Sequence, residues 1–267
     1  MKCSLTRQNG VLNCTVVRQY LSLALFASPL TPSTTAGMLF TPPPALATRP
    51  PARRSARRPW RPSASATLSA ADAVATLHAA ASSASVPPPA VCRAMVAVEK
   101  AKASPEELAT ALAGNGPTPR RWRLVLTSSA ADVRAAAGGG RYFPVSAVQS
   151  WALSGTGAGV ITNGVYLGHW AALQFRGPCR LSRGRLLHFD FETLQLKLLG
   201  WRATLRLKPR DYPGLPAEGT RALQKSPFFL FAHADDRCVV ARGRSGGVAL
   251  WARATPEWLL TAGALLL

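Results

Sequence analysis

From Arg120 onward, apolar and polar residues alternate with a period of two, and no other feature of this chain constrains its fold as strongly. Trp122, Leu124 and Leu126 alternate with Arg123, Val125 and Thr127, and Leu187, Phe189 and Phe191 with His188, Asp190 and Glu192. Leu194, Leu196 and Leu198 alternate with Gln195 and Lys197, and Trp201, Ala203, Leu205 and Leu207 with Arg202, Thr204, Arg206 and Lys208. Successive side chains of a strand point to opposite faces, so each run buries one face and wets the other, the pattern of an antiparallel sheet. Residues 228–232 and 248–251 are apolar on both faces and read as central strands. Asn163-Gly164, between Val160-Ile161 and Val165-Tyr166-Leu167, predicts a two-residue hairpin turn. About nine or ten short strands with turn signals between them make a barrel or a sandwich. Closing the sheet into a barrel removes its edges and can leave a ligand cavity. No strands and helices alternate as βαβ, which disfavours a nucleotide-binding α/β fold.

Helix signals precede the sheet. Val91, Met95 and Val98 recur at helical spacing, and residues 90–113 read as helix. Ser104-Pro105-Glu106-Glu107 carries a capping serine, a first-turn proline and a glutamate placed to close a capping box. Gly114-Asn115-Gly116-Pro117 ends that helix. The prolines at 42–44 and 87–89 oppose helix and sheet nearby, and residues 72–89 read as a linker. The apolar end, residues 258–267, is too short for a membrane span and reads as a packing or fraying tail within 254–267.

The formal net charge is +20, and its distribution matters more than its size. Nine cations precede Asp72, the first acid, leaving 23 cations against 12 anions in the remainder, net +11. A basic, acid-free leader rich in Ser, Thr, Ala, Pro and Arg reads as a disordered organelle transit peptide over residues 1–71. A secretory signal would use the apolar stretch 20–30 after Arg18, but would not need the basic, acid-free residues that follow. Of the five cysteines none forms a CxxC pair, so neither zinc nor redox chemistry is signalled. Cys179 and Cys238 read as buried free thiols.

Two segments resemble the plastid lipid-associated protein family, the fibrillins. Trp122-Arg-Leu-Val-Leu-Thr127-Ser128-Ser129 is similar to that family's opening strand. Asp235-Asp236-Arg237-Cys238-Val239-Val240-Ala241-Arg242-Gly243, with Gly246 and residues 248–251, is similar to its closing motif. Val239 stands where the family usually carries a second Arg, and Leu126 where Tyr is common. The resemblance spans residues 90–253, with helix residues Leu108, Leu112 and Pro117 also fitting. It implies a chloroplast protein with a lipocalin-like antiparallel β-barrel behind one or two N-terminal helices. Such a barrel would hold a lipid, quinone or carotenoid and associate with plastoglobules or thylakoids.

On this reading the candidate ligand-binding residues are Trp122, Leu124, Tyr166, Phe189, Asp235, Arg242, Gly243 and Trp251. Trp151, Trp170 and Trp201, with seven Phe between 143 and 231, would line a cavity or simply pack the core. Arg242, oriented by Asp235, would hold a ligand carbonyl or carboxylate, or the two would form an ion pair pinning the last hairpin. Gly243 would permit a turn or bulge. His188, Asp190 and Glu192 share one strand face, where cross-strand pairing with Arg202, Arg206 and Lys208 explains them without metal or acid–base chemistry. The glycines of 154–159 precede no helix pattern and read as a hairpin loop. No GxSxG elbow or HExxH is present, so no catalytic residue, metal or cofactor is expected. Residues 120–253 carry 20 cations and seven anions. That basic face would dock on anionic lipid or, alternatively, bind nucleic acid through phosphates and base stacking. Most aromatics share the apolar strand phase, opposite to the Arg, which favours lipid over nucleic acid.

Overall fold

The computed structural model describes residues 68–113, 119–135 and 139–265. The expected leader lies outside these except for its last four residues. Those begin α1 (Ala70–Ser82), whose N-terminus is capped by the Ser69 hydroxyl accepting from the Asp72 N–H. The expected linker 72–89 is therefore largely helix. Leu77, Ala73, Ala80 and Ala81 form a small-residue face that buries completely or nearly so, and alanine loses little side-chain entropy in a helix. The expected single helix over 90–113 is two helices, α2 (Pro88–Ala101) and α3 (Pro105–Ala113). Lys102, at φ 53°, breaks them. The proline run starts α2 rather than preventing it, because a first-turn proline gives up no helical hydrogen bond. Ser104 Oγ accepts from the Glu107 N–H as the sequence predicts.

The sheet is built from β1 (Arg121–Ser128), β2 (Arg141–Tyr142), β3 (Ser146–Leu153), β4 (Ala158–Leu167), β5 (Ala171–Ser182), β6 (Leu186–Phe189), β7 (Thr193–Leu198), β8 (Trp201–Arg206), β9 (Phe228–Ala234), β10 (Cys238–Gly243) and β11 (Val248–Arg253). Short helices α4 (Ala130–Arg134), α5 (Arg221–Lys225) and α6 (Pro256–Ala262) follow β1, β8 and β11. Eight antiparallel strands close a ring in the order β4-β3-β1-β11-β10-β9-β6-β5, with β5 returning to β4. On one edge β5 pairs with the whole length of β4, over residues 171–180. On its other edge it pairs with β7 over residues 171–176 and with β6 over 179–182. The chain from β6 to β7 therefore splits. β6 stays in the wall beside β9, and β7 leaves with β8 as a hairpin outside the ring.

Asn163-Gly164 lies in the middle of β4 and makes no turn. Asn163 pairs with Gln149 on one side and Phe175 on the other, so its strand is central. The glycine serves close packing instead, since a Cβ there would stand 2.4 Å from the Tyr166 hydroxyl. The 154–159 segment is the hairpin loop the sequence predicts, closed by the Ser154 N–H donating to the Ala158 carbonyl.

Alternation sorts the strands into an inside and an outside. Inside lie Trp122, Trp151, Ile161, Phe175, Cys179, Leu187, Phe189, Phe191, Phe229, Phe231 and Trp251. Helix α3 touches β3 and β9, opposite walls of the ring, and so lies across one mouth. Its Leu108 and Leu112 join the interior cluster, and the Leu112 carbonyl accepts from the Trp151 indole at 3.2 Å. Outside, α1 and α2 cover Val125, Leu126, Ala232, Cys238, Val240, Val248 and Leu250. This second buried layer is why β9 and β11 are apolar on both faces. Helix α6 covers Val148, Tyr166 and Ala172 on another part of the outer wall. Each fully buried large apolar side chain contributes about 1.5–3 kcal/mol.

Gly177 faces the junction of β6 and β7, which follow one another along the same edge of β5, the Asp190 N–H donating to the Pro178 carbonyl and the Glu192 N–H to the Arg176 carbonyl. A Cβ there would meet the Asp190 carbonyl oxygen at 2.1 Å, a backbone atom that cannot swing aside. Gly177→Ala is expected to lower unfolding stability in denaturant melts by about 1–3 kcal/mol, the usual range for overpacking.

Candidate functional site

Of the eight sequence-predicted residues, four come together in the barrel interior: Trp122, Leu124, Phe189 and Trp251. The three aromatic residues belong to two chains of ring contacts, and Leu124 packs against the cluster. Trp122 stacks on Trp151 at 6.3 Å, and Trp151 meets Phe231 at 5.3 Å. Trp251 meets Phe229 at 5.6 Å, and Phe229 stacks on Phe189 at 4.9 Å. Phe191 continues that chain to Phe175. These rings pack mainly on one another, so their first role is to fill the core.

Two polar atoms in this apolar interior have no protein partner. The Trp122 Nε1 and Gln149 Nε2 donors are buried without an acceptor, and Trp122 and Gln149 are register partners across β1 and β3. Leaving a buried donor unpaired costs about 1–3 kcal/mol, so such a pair favours an acceptor between the strands.

The other four candidates lie elsewhere. Tyr166 faces outward, because Ile161 and Asn163 hold the inward phase of β4. Its hydroxyl accepts from Gln174 Nε2 at 3.1 Å, and burial raises its pKa against the smaller opposing effects of Gln174 and Arg121. An outer groove of about 400 Å3 runs past it, lined by polar groups including Arg121, Ser150, Thr162, Gln174 and Arg176.

Arg242 also points outward. Val239 and Ala241 take the inward phase of β10, which leaves Arg242 facing α2. Its guanidinium makes a two-pronged pair with Glu99, Nε to Oε1 and Nη2 to Oε2, and Nη1 donates to the Gly246 carbonyl. The Glu99 hydrogen bond raises the Arg242 pKa more than partial burial lowers it. Asp235 and Arg242 do not pair. Asp235 sits in the β9–β10 turn and Arg242 four residues beyond Cys238, about 13 Å along the strand. Gly243 ends β10, where its N–H donates to the Gly247 carbonyl, while Gly246 takes the left-handed conformation at φ 85°.

Asp235 is the centre of a cluster on the helix-covered outer face. Its Oδ1 accepts the backbone N–H groups of Arg237 and Cys238, each at 2.7 Å. Its Oδ2 meets Nε2 of His78 at 2.6 Å and Nε2 of His233 at 2.9 Å. Burial alone would raise the Asp235 pKa, but the hydrogen bonds from His233, Cys238, His78 and Arg237 together hold it well below the carboxylate range. The Cys238 thiol adjoins this group, wholly buried, with its pKa pushed up by burial and then by Asp235. A β9 bulge makes the cluster: Val240 pairs with His233 but Ala241 with Phe231. The extra residue turns His233 outward toward α1, whereas unbroken alternation from Phe231 would aim it inward. The spacing His233-x-Asp235-x-x-Cys238 is visible in the sequence; the bulge and His78 on a distant helix are not.

His188, Asp190 and Glu192 do not converge. His188 Nδ1 lies 3.1 Å from Ser226 Oγ, whereas Asp190 accepts from Tyr212 and pairs with Lys208 at 3.0 Å. Lys208 is one of the three cations expected to compensate this row, but it and Asp190 both lie outside the strands, so the pair is a loop contact and not the expected cross-strand one.

Trp170 and Trp201, expected to line a cavity or pack the core, lie on the surface instead. Two adjacent turns, 168–170 after β4 and 199–200 after β7, form one tip, joined by the Leu199 N–H donating to the Trp170 carbonyl at 2.8 Å. Trp170 and Trp201 are each 60% exposed and Leu199 71%, with Leu167 and Leu198 beside them. Arg202, next to Trp201, is exposed, whereas the exposed Arg206 and Arg210 lie at and beyond the far end of β8. Between Glu192 and Asp211 the chain has five cations and no acid. Among the described residues no helix is long and apolar enough to cross a membrane. No family model, curated protein or solved structure matches this chain.

Two outcomes test these placements. Glu99→Gln should lower stability by about 1–3 kcal/mol in urea melts, because it strands a half-buried guanidinium. His188 is held below its ordinary pKa first by burial, with Glu218 opposing and Arg180 and Arg244 assisting. Its neutral form is favoured by folding, so its contribution is complete above the ordinary histidine value and is lost as pH falls below it. Between about pH 8 and about pH 5 the wild type should therefore lose more stability than His188→Gln.

Proposed function

We propose that this chain is a plastid lipid-associated protein of the fibrillin type, seated on a lipid surface and holding a small hydrophobic molecule. The observation that carries the reading is the exposed Trp170–Leu199–Trp201 tip, with the exposed Arg202 adjacent to Trp201. Monomeric soluble proteins rarely leave large aromatic and aliphatic side chains clustered in water, and such clusters mark interaction surfaces. Tryptophan suits the boundary between water and acyl chain, and each nearby cation adds about 1 kcal/mol of attraction to an anionic surface. The segments that carry the family resemblance, β1 and the β10–β11 hairpin, are hydrogen-bonded neighbours in the barrel wall, which is consistent with their acting as one unit. The two unpaired interior donors support a ligand with a carbonyl oxygen, such as a quinone or acyl group. The reading requires no catalysis.

The alternative, single-stranded nucleic acid on the basic face, draws on the two exposed tryptophans. On β8, however, Trp201 and Arg202 alternate to opposite faces, whereas a stacking platform needs base and phosphate contacts on one face.

Flotation with phospholipid vesicles, with and without an anionic lipid, tests the surface. The protein is expected to float with anionic vesicles and to be released by salt. Trp170→Ser combined with Trp201→Ser should weaken binding by about tenfold or more without lowering stability, since both side chains are exposed. Absence of flotation, or equal flotation of the double variant, overturns the tip as the docking surface. Mass spectrometry of an organic extract of the purified protein tests the ligand. Tight single-strand binding with a steep salt slope would replace this reading by the nucleic-acid one.

A further inference from the structure

We propose that His78, His233, Asp235 and Cys238 form a four-ligand structural site for zinc(II), which fastens α1 to the β9–β10 hairpin. One donor atom from each residue lies within 4.8 Å of all the others. The donors come from separate pieces of the fold: His78 from α1, His233 from β9, Asp235 from the turn and Cys238 from the start of β10. Two imidazoles, a carboxylate and a thiol suit a tetrahedral zinc ion better than the all-oxygen shells of calcium or magnesium.

The surroundings are arranged as a metal site requires. Asp235 Oδ1 is held by two backbone N–H groups, which leaves Oδ2 aimed at both imidazoles. Such outer hydrogen bonds fix the orientation of a ligating carboxylate. Both imidazoles present Nε2 to the same oxygen, so the two hydrogen bonds need a proton on each Nε2. One ion between these groups would replace both protons, with each neutral imidazole carrying its proton on Nδ1. With bonds of about 2.0–2.3 Å, tetrahedral donors stand about 3.3–3.7 Å apart. Reaching that geometry from contacts of 2.6 and 2.9 Å and a widest spacing of 4.8 Å takes side-chain shifts of about 1 Å or less. Coordination converts the Cys238 S–H to a thiolate and releases one proton to solvent. All four positions are filled by protein and the thiol is wholly buried, which makes the site structural rather than catalytic. The proposal is independent of the lipid reading: the cluster is on the helix-covered face and uses none of the tip residues.

The test uses the untagged full chain, freed of metal and titrated with zinc(II) and cobalt(II). One ion per chain should bind, with a zinc Kd below about 1 μM and a rise in Tm reversed by chelator. The cobalt form should show a thiolate-to-metal charge-transfer band and the intense visible bands of tetrahedral coordination. Cys238→Ser should abolish the charge-transfer band, and His78→Gln should weaken zinc binding by about 100-fold or more. His78 is partly exposed on a helix, so His78→Gln keeps the test valid if the buried Cys238 variant fails to fold. Cys179→Ser, a buried thiol on the opposite face of the wall, should bind zinc as the wild type does. Zinc should also protect the α1–α2 connection from proteolysis. Failure of the wild type to bind one zinc at micromolar concentration, or wild-type affinity in His78→Gln, overturns the proposal.

Discussion

The ring exists because β4 and β5 pair continuously from Leu167↔Ala171 to Ala158↔Arg180, while β5 still reaches β6 with its last four residues. That double engagement joins the first sheet strands to the last and removes the exposed edges of the ring. Gly177 lets the backbone at Asp190–Phe191 approach β5 closely, where β6 gives way to β7 along the same edge. Once the ring is closed, strand parity assigns an address to every side chain. Odd positions of β4 and β5 go to the aromatic interior, and even positions go to water, to α6 or to the outer groove.

Parity then decides which polar groups meet. Arg242 and Asp235, seven positions apart in the closing motif, both end outside the ring and serve different helices. Glu99 of α2 takes the guanidinium and His78 of α1 takes the carboxylate. The helical layer is thus fastened by an ion pair at Glu99 and a hydrogen bond at His78 as well as by the apolar face of α1. Inside, the aromatic chains leave little that is polar except Trp122 Nε1, Gln149 and Asn163. On the opposite side of the energetic balance stands the tip, where apolar side chains remain in water although the interior has the chemistry to receive such groups. Burial lost there is recoverable only by contact with something outside the barrel.

Much of this fold was legible in the residues. Period-two runs identified β1, β7 and β8, and two-sided apolar runs identified β9 and β11 as strands covered on both faces. Ser104 marked the start of α3, and Trp122, Leu124 and Phe189 stood on the apolar phase that the closed ring turns inward. Local signals misled where packing overrode them. Asn163-Gly164 has the chemistry of a turn but is held extended by partners on both sides. The prolines at 87–89 look like a breaker but sit where a helix tolerates them. Tyr166 has the composition of a cavity residue, but its phase places it under α6.

By itself the sequence determined the alternation, and with it the antiparallel sheet, the apolar supply for an interior and the basic character of the outer strands. Alternation is local, set by the extended backbone, and needs no knowledge of partners. Only the tertiary structure decided which face is inside, that a bulge turns His233 outward, and that a helix begun at Ala70 brings His78 to Asp235 across 157 positions. Register, closure and bulges are properties of strand pairs, and a one-residue slip reverses every address along a strand. The cluster around Asp235 and the tip around Trp170 therefore became visible only when the ring was complete.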